Sequence, residues 1–219
     1  MSKELLIVFV KNIKLGKVKT RLAKSIGNEG AFEVYKHLVE ITENATQKVK
    51  HEKHIYFSNV IIDEKWPNTP KFIQKGADLG EKMQNAFEKG FSDGYKKIIL
   101  IGSDLPDISA TIIQKGFDQL NNSEIVFGPA EDGGYYLIGM NKMYKSIFEN
   151  KKWSTKELLK TTLLELENNE TKVSLLHKLN DIDTIDDLKH SFVANQFEAL
   201  LAPYIKNWLL KNIDQCQLL

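Results

Sequence analysis

Short unbroken apolar runs alternate along the chain with longer stretches in which apolar residues recur at helical spacing. Runs of four to eight apolar residues bounded by turn signals suit strands buried on both faces, and the helical period suits helices lying over them. Residues 5–10 read as the first strand. Helical spacing over about 28–49 follows, with Asn28 as its N-cap and Ala31, Val34, Tyr35, Leu38, Ile41, Thr42 and Ala45 on one face. Residues 54–57 form a second strand and 71–74 a weak one, and the two Pro-containing pairs between them mark 58–70 as a loop. The pattern then predicts helix 81–91, strand 97–101, helix 109–120 capped by Ser109, and strands at 124–128 and 135–140. Ser154 and Glu157 have the spacing of a capping box ahead of a helix to 167. A strand at 172–175 and a helix beginning at Thr184 complete the series. The resulting expectation is an α/β fold with a Rossmann-like, mainly parallel sheet flanked by helices.

Beyond residue 190 the pattern is helical to about 213. A stripe of Phe192, Phe197, Leu200, Leu201, Ile205, Trp208 and Leu209 is interrupted by Pro203. Residues 1–190 are therefore expected to form one domain. Residues 191–219 are expected to form a helical extension packed on that domain, or on a second copy of the chain in a homodimer.

Composition narrows the function classes. With 219 residues the chain can bury a full core. A formal net charge of +1 gives no global field to attract nucleic acid. The first apolar run is too short for a membrane span and lacks a small-residue cleavage site, so the expected location is cytoplasmic with no membrane partner. One cysteine, Cys216, and five histidines without HxxxH spacing leave no basis for a zinc site. Without a Gly-x-Ser-x-Gly elbow, a hydrolase triad has no anchor.

Three segments beside strand ends carry candidate chemistry, because ligands of open α/β sheets bind beyond the carboxyl ends of the strands. Between Lys11 and Arg21 lie five cations, with Gly16 and Thr20. Such a segment either grips phosphates or forms a solvated basic turn, and the residues alone leave both open. In Gly102-Ser103-Asp104-Leu105-Pro106-Asp107, Asp104 stands just past a strand end, where a carboxylate suits a divalent cation. Asp107 suits the turn that follows. Asp181 and Asp183 project the same way from an extended segment with Ile182 turned inward, and two such carboxylates repel unless a cation lies between them. Asp186 and Asp187 fit the first turn of a helix. Tyr135, Tyr136 and Trp153 suit a sugar or base pocket, although aromatics at such positions more often belong to the core.

Six motifs in order, Lys19-Thr20-Arg21-Leu22-Ala23, Gly76-x-Asp78-Leu79-Gly80-Glu81-x-Met83, Gly102-x-Asp104-x-Pro106, Gly128-Pro129-x3-Gly133-Gly134-Tyr135-Tyr136-Leu137-Ile138-Gly139, Trp153-Ser154-Thr155 and Asp181-Ile182-Asp183-Thr184-x2-Asp187-Leu188, resemble one family. It is the group of bacterial glycosyltransferase-like proteins associated with radical-SAM and selenium-domain proteins, formerly a domain of unknown function. The resemblance spans about residues 5–190. It departs from the family at Asn12-Ile13-Lys14-Leu15, where family members often carry prolines.

The resemblance implies the nucleotide-diphospho-sugar transferase (GT-A) fold and a Mg²⁺- or Mn²⁺-dependent transfer. A glycosyl or nucleotidyl group would pass from a nucleotide-sugar or nucleoside triphosphate to a small-molecule acceptor. It further implies that Lys11, Gly16, Lys19, Thr20 and Arg21 hold phosphates, with Lys19 and Arg21 assisting the chemistry beside Asp104. Asp132, Gly133, Gly134 and Tyr135 would approach the transferred group, while Asp104, Asp183 and Asp181 would hold the metal. A competing expectation is a nucleotide-binding regulatory or scaffold protein on a catalytically degenerate form of the same fold.

Overall fold

The strand Glu4–Val10 (β1) buries six consecutive residues, Leu5 to Val10, because it has a neighbour on each edge and a helical layer on each face. The protein is described by a computed structural model covering residues 3–191 and 202–203. In chain order β1 is followed by helix α1 (Thr20–Gln47), strands β2 (Glu52–Phe57) and β3 (Lys71–Ile73), helix α2 (Leu79–Ser92), strand β4 (Lys97–Ile101) and helix α3 (Ala110–Gln119). Then come strands β5 (Ile125–Pro129) and β6 (Tyr135–Met140), helix α4 (Leu158–Asn168), strand β7 (Val173–Leu175) and helix α5 (Ile185–His190). The seven strands form one sheet in the order β3-β2-β1-β4-β6-β5-β7. All neighbours are parallel except β6, which runs antiparallel between β4 and β5. This is the mixed, mainly parallel α/β sheet that the alternating pattern predicts.

Side-chain alternation along β1 divides the core. Leu6, Val8 and Val10 join Tyr35 and Val39 of α1 and Ile113 and Phe117 of α3 on one face. Leu5, Ile7 and Phe9 join Met83 and Phe87 of α2 and Leu159 and Leu166 of α4 on the other. A third cluster lies under the first turns of α1, where Leu22, Ile26 and Leu38 meet Ile182 and Leu188. That contact draws the segment beyond β7 back to the start of α1.

Two local expectations need correction. Helical structure begins at Thr20, well before Asn28, and Gly27 (φ 78°, ψ 166°) breaks it so that Asn28 opens the second piece. The first piece was hidden because Lys19-Thr20-Arg21 is polar and its apolar contacts, Leu22 and Ile26, span only two turns. The Ser154–Glu157 capping box does not form: Ser154 adopts a left-handed conformation (φ 59°), and α4 begins at Leu158 without a side-chain cap. The equivalent box at Thr184 does form, with Asp187 closing it. The loop expected over 58–70 is observed, and Trp66 within it is only 2% exposed. The expected helix over 191–213 lies outside the described residues, apart from Ser191, which caps α5, and a helical Ala202-Pro203 pair.

Trp66 fastens that loop to α1. Its indole Nε1 donates to Thr46 Oγ1 at 2.8 Å, and its backbone N–H donates to Glu43 Oε1 at 2.6 Å. Truncation leaves a large cavity and removes the indole donor to Thr46 Oγ1. Trp66→Ala is expected to lower unfolding free energy by about 3–5 kcal/mol, read as a shifted midpoint in urea denaturation.

Candidate active site

At the carboxyl edge of the sheet, β1 and β4 open into the loops that carry the basic segment and Asp104. Tyr35 of α1 holds the roots of both. Its hydroxyl accepts from the Lys11 backbone N–H at 3.0 Å and lies 3.0 Å from both Lys11 O and Ser103 Oγ. Burial pushes the phenol up to about 12, so it stays a neutral hydrogen-bonding group. Asn12 holds the basic loop to the segment after β2: its side-chain oxygen accepts from Asn59 and Val60 N–H at 2.6 and 3.0 Å, and its amide donates to Val60 O.

Lys19 is the residue around which the site is built. It precedes α1 in a left-handed conformation (φ 46°, ψ 48°) that a non-glycine residue adopts at a cost of roughly 1–2 kcal/mol. The result is a side chain only 5% exposed whose Nζ donates to Asp104 Oδ2 at 3.2 Å and Asp183 Oδ1 at 3.1 Å. Those carboxylates are 46% and 39% exposed, so they face the solvent side of the ammonium. Burial works against the charged ammonium, but Asp104, Asp183 and Asp181 together outweigh it and raise its pKa above the ordinary lysine value. Arg21 Nη1 donates to Asp183 Oδ2 at 3.3 Å from an exposed position.

Asp181 and Asp183 reach this point because the chain beyond β7 continues along β5. Leu179 N–H donates to Pro129 O and Glu131 N–H to Leu179 O, at 3.1 and 3.0 Å. Ile182, 1% exposed, then anchors the segment in the cluster under α1. Asp187 accepts from the backbone N–H groups of Asp183 and Thr184 at 3.1 and 2.7 Å, which fixes the orientation of Asp183. Asp181 is pushed up to about 6, first by burial and then by repulsion from Asp104, against the partial relief of Lys19.

The Asp132-Gly133-Gly134 turn closes the other side. Asp132 Oδ1 accepts from Gly134 N–H at 2.8 Å. Gly133 has φ 89°, and a Cβ there would meet Lys156 O at 2.1 Å, so only glycine fits between this turn and the approach to α4. Trp153 is seated in the same way on Gly80 of α2, where an added Cβ would touch its ring at 2.5 Å.

These elements enclose a cleft of about 630 Å³. Lys11, Lys19, Thr20, Arg21, Asp104, Asp132, Gly134, Tyr135, Asp181 and Asp183 all line it, as do Tyr136 and Trp153. Two predicted site residues stand elsewhere. Gly16 (φ 72°) turns the basic loop beside Asn28, and Gly133 faces a neighbouring groove with Lys156 and Lys178. Tyr35, Ser103, Gln74 and Lys82 line the cleft without having been singled out from sequence. Tyr35 was counted only as part of an apolar helix face, and a hydroxyl at the end of an otherwise apolar ring is the signal that marks it.

The donors facing one another here are all carboxylate oxygens, the chemistry that Mg²⁺ and Mn²⁺ prefer. Among the described residues no group of three His, Cys, Asp or Glu side chains is placed to hold a metal ion. The Lys19 ammonium lies between Asp104 and Asp183 instead.

Residues 42–155 match the model of a family described as uncharacterized proteins conserved in bacteria (DUF2064). The chain belongs to this family. No curated protein matches it. Among solved structures, a Desulfovibrio desulfuricans protein provisionally named a nucleotide-diphospho-sugar transferase is similar at 30% identity and a TM-score of 0.85, covering 95% of this chain and 99% of its own. The 4-diphosphocytidyl-2C-methyl-D-erythritol synthase of Anaerococcus prevotii is similar in fold at 13% identity and a TM-score of 0.58, covering 89% and 97%. Rv0371c of Mycobacterium tuberculosis, solved in complex with manganese, is likewise similar in fold at 12% identity and a TM-score of 0.51, covering 86% and 97%. This DUF2064 chain therefore has the nucleotide-diphospho-sugar transferase fold.

The raised pKa of Asp181 has a consequence for stability. Its folded-state carboxyl binds a proton more tightly than the unfolded one, so stability is full below about pH 4 and is lost as pH rises towards about 6. Asp181→Asn keeps the shape without the charge. The variant is expected to be more stable than the parent at pH 8, by up to about 3 kcal/mol, and to match it near pH 4. Urea denaturation at the two pH values measures the difference.

Proposed function

We propose that this protein is a divalent-metal-dependent transferase that binds a nucleoside triphosphate or nucleotide-sugar and passes a nucleotidyl or glycosyl group to a small acceptor. The observation that carries the reading is the meeting of Lys19, Asp104 and Asp183 from three separate loops at the carboxyl edge of the sheet. A structural ion pair on the surface would be worth little, and it would not need a strained backbone to form.

In this reading Lys11, Lys19 and Arg21 bind the phosphates. The start of α1 supports them: its N-cap residue Lys19 makes no side-chain cap, so the first-turn N–H groups of Thr20 and Arg21 are available to anionic oxygen at the positive end of the helix. Asp104, Asp183 and Asp181 would hold Mg²⁺ or Mn²⁺, which would neutralise negative charge on the phosphates when bound. The manganese of Rv0371c is in keeping with such a donor set. The aromatic wall of Tyr135 and Trp153 covers the reacting groups from the far side and limits the entry of water.

Among the described residues no side chain in the cleft is arranged as a covalent nucleophile. Direct in-line transfer is the simplest course: an acceptor oxygen forms the new bond as the bond to the phosphate leaving group breaks. Lys19 and Arg21 stabilise the charge that collects on that leaving group. The three carboxylates and the Lys19 network also speak against a degenerate binding protein, which would have no need of them.

Incubating the protein with Mg²⁺, candidate donors and acceptors, and assaying pyrophosphate against nucleoside diphosphate, separates nucleotidyl from glycosyl transfer. Thermal-shift screening with and without metal identifies the donor, because a ligand that binds the native state raises its apparent stability. Arg21→Ala is expected to leave the melting temperature within about a degree or two, since its ion pair is exposed. The same change is expected to weaken nucleotide binding by about 1.5–3 kcal/mol in a titration with Mg²⁺ present. Unchanged affinity would remove Arg21 from the phosphate site.

A further inference from the structure

Lys19 lies between two of the carboxylates that the reading above assigns to the metal. Its ammonium accepts no ligand and occupies one lone pair of Asp104 and one of Asp183 at 3.2 and 3.1 Å. Asp181 stands close enough to both carboxylates to repel them, and Asp132 adds to the same negative field. Arg21 reaches only the outer oxygen of Asp183, from an exposed position. Among the described residues Lys19 is thus the cation that touches both Asp104 and Asp183. A dication placed among the same oxygens would face the ammonium at contact distance, and like charges at such range repel strongly.

We infer that Lys19 is an exchangeable counter-ion: it holds Asp104 and Asp183 together in the free protein, yields them to the divalent cation, and moves onto the phosphates of the nucleotide. This rests on the metal-dependent reading above and adds a mechanism for loading the site. Lys19 sits at the junction between a loop and the first turn of α1, where its carbonyl accepts from Ala23 N–H at 2.9 Å, so the exchange is a swing of its flexible side chain and leaves the backbone in place. Substrate phosphates then arrive beside a cation that the metal has already released. Metal and nucleotide binding are thereby coupled: whatever removes the ammonium favours the metal, and whatever receives it favours the nucleotide.

Two measurements test this. Lys19→Met removes the charge and keeps most of the volume. Its affinity for Mn²⁺ alone, followed by electron paramagnetic resonance of the free ion, is expected to be about tenfold tighter than that of the parent. Nucleotide binding by the metal-loaded variant is expected to be about tenfold or more weaker. The second measurement uses the native chain and so does not depend on how the variant folds. Amine acylation read by mass spectrometry is expected to spare Lys19 in the free protein, to label it on addition of Mg²⁺, and to spare it again when nucleotide is added with Mg²⁺. Exposed Lys160 serves as the internal reference for labelling. If Mn²⁺ binds the native protein yet Lys19 stays protected, and the variant binds the ion no more tightly, the exchange is overturned and the metal site stands. If the native protein binds no Mn²⁺ at all, the metal-dependent reading falls as well.

Discussion

Three carboxylates and one ammonium meet at the carboxyl edge of the sheet, and the architecture around them serves to bring them there. Asp104 lies 85 residues from Lys19 in sequence and Asp183 lies 164. Like charges collected from such distances cannot stabilise one another, so the packing beneath must supply the free energy that holds them together. It does so through apolar anchors beside each charge. Leu105 and Ile108 follow Asp104 into the core, Ile182 separates Asp181 from Asp183, and Val18 and Leu22 bracket Lys19 and Arg21. In each segment the polar residue is displayed by a buried neighbour one to four positions away.

The sheet topology decides which loops share that edge. A fully parallel sheet would point every strand end the same way and separate successive loops by a helix. Here β6 runs antiparallel between β4 and β5, so the turn joining β5 to β6 closes on the same edge as the loop after β4. The register shift at Gly128 and Pro129 directs that turn towards the cleft, and Gly128 is needed because the Tyr136 ring lies where a Cβ would be. The chain after β7 then follows the end of β5 back to the same place. Four loops thus reach one cleft, two from parallel strands and two that the reversed strand makes accessible.

Strand order of this kind was only partly legible in the sequence. The buried strands were readable from their apolar runs, β3 and β7 only weakly because they are short and half-exposed, and β6 was located to the residue, because buried strands of both polarities show the same continuous apolar pattern. That same property concealed its direction. Asp181 and Asp183 could be assigned to one face because Ile182 between them had to turn inward, and the structure places both in the cleft. The helical start at Thr20 was not legible: a short polar turn ended by Gly27 offers little periodicity, and part of its apolar cluster, Ile182 and Leu188, lies on a segment more than 150 residues away. Nor could the sequence disclose that Lys19 is buried. Five cations in eleven residues read as a solvated loop unless the carboxylates that receive one of them are known. Tyr35 was hidden for the opposite reason, since its ring fits a helix face so well that its hydroxyl drew no notice.

The burial of charge at this edge also bears on why the site has its form. Asp181 is desolvated and makes no ion pair with a cation among the described residues, and Lys19 holds a backbone conformation that most residues avoid. Both features cost stability, and an isosteric neutral residue at Asp181 or a glycine at Lys19 would relieve them. Under the function proposed above, both would be preorganisation: the negative charge is gathered, and the positive charge is positioned, before a substrate arrives. A solvent-exposed cluster would be cheaper to form, but it would have to reorder water and side chains during the reaction. Holding the carboxylates around a resident ammonium limits the cost of gathering them while keeping the assembly ready for a more highly charged ligand.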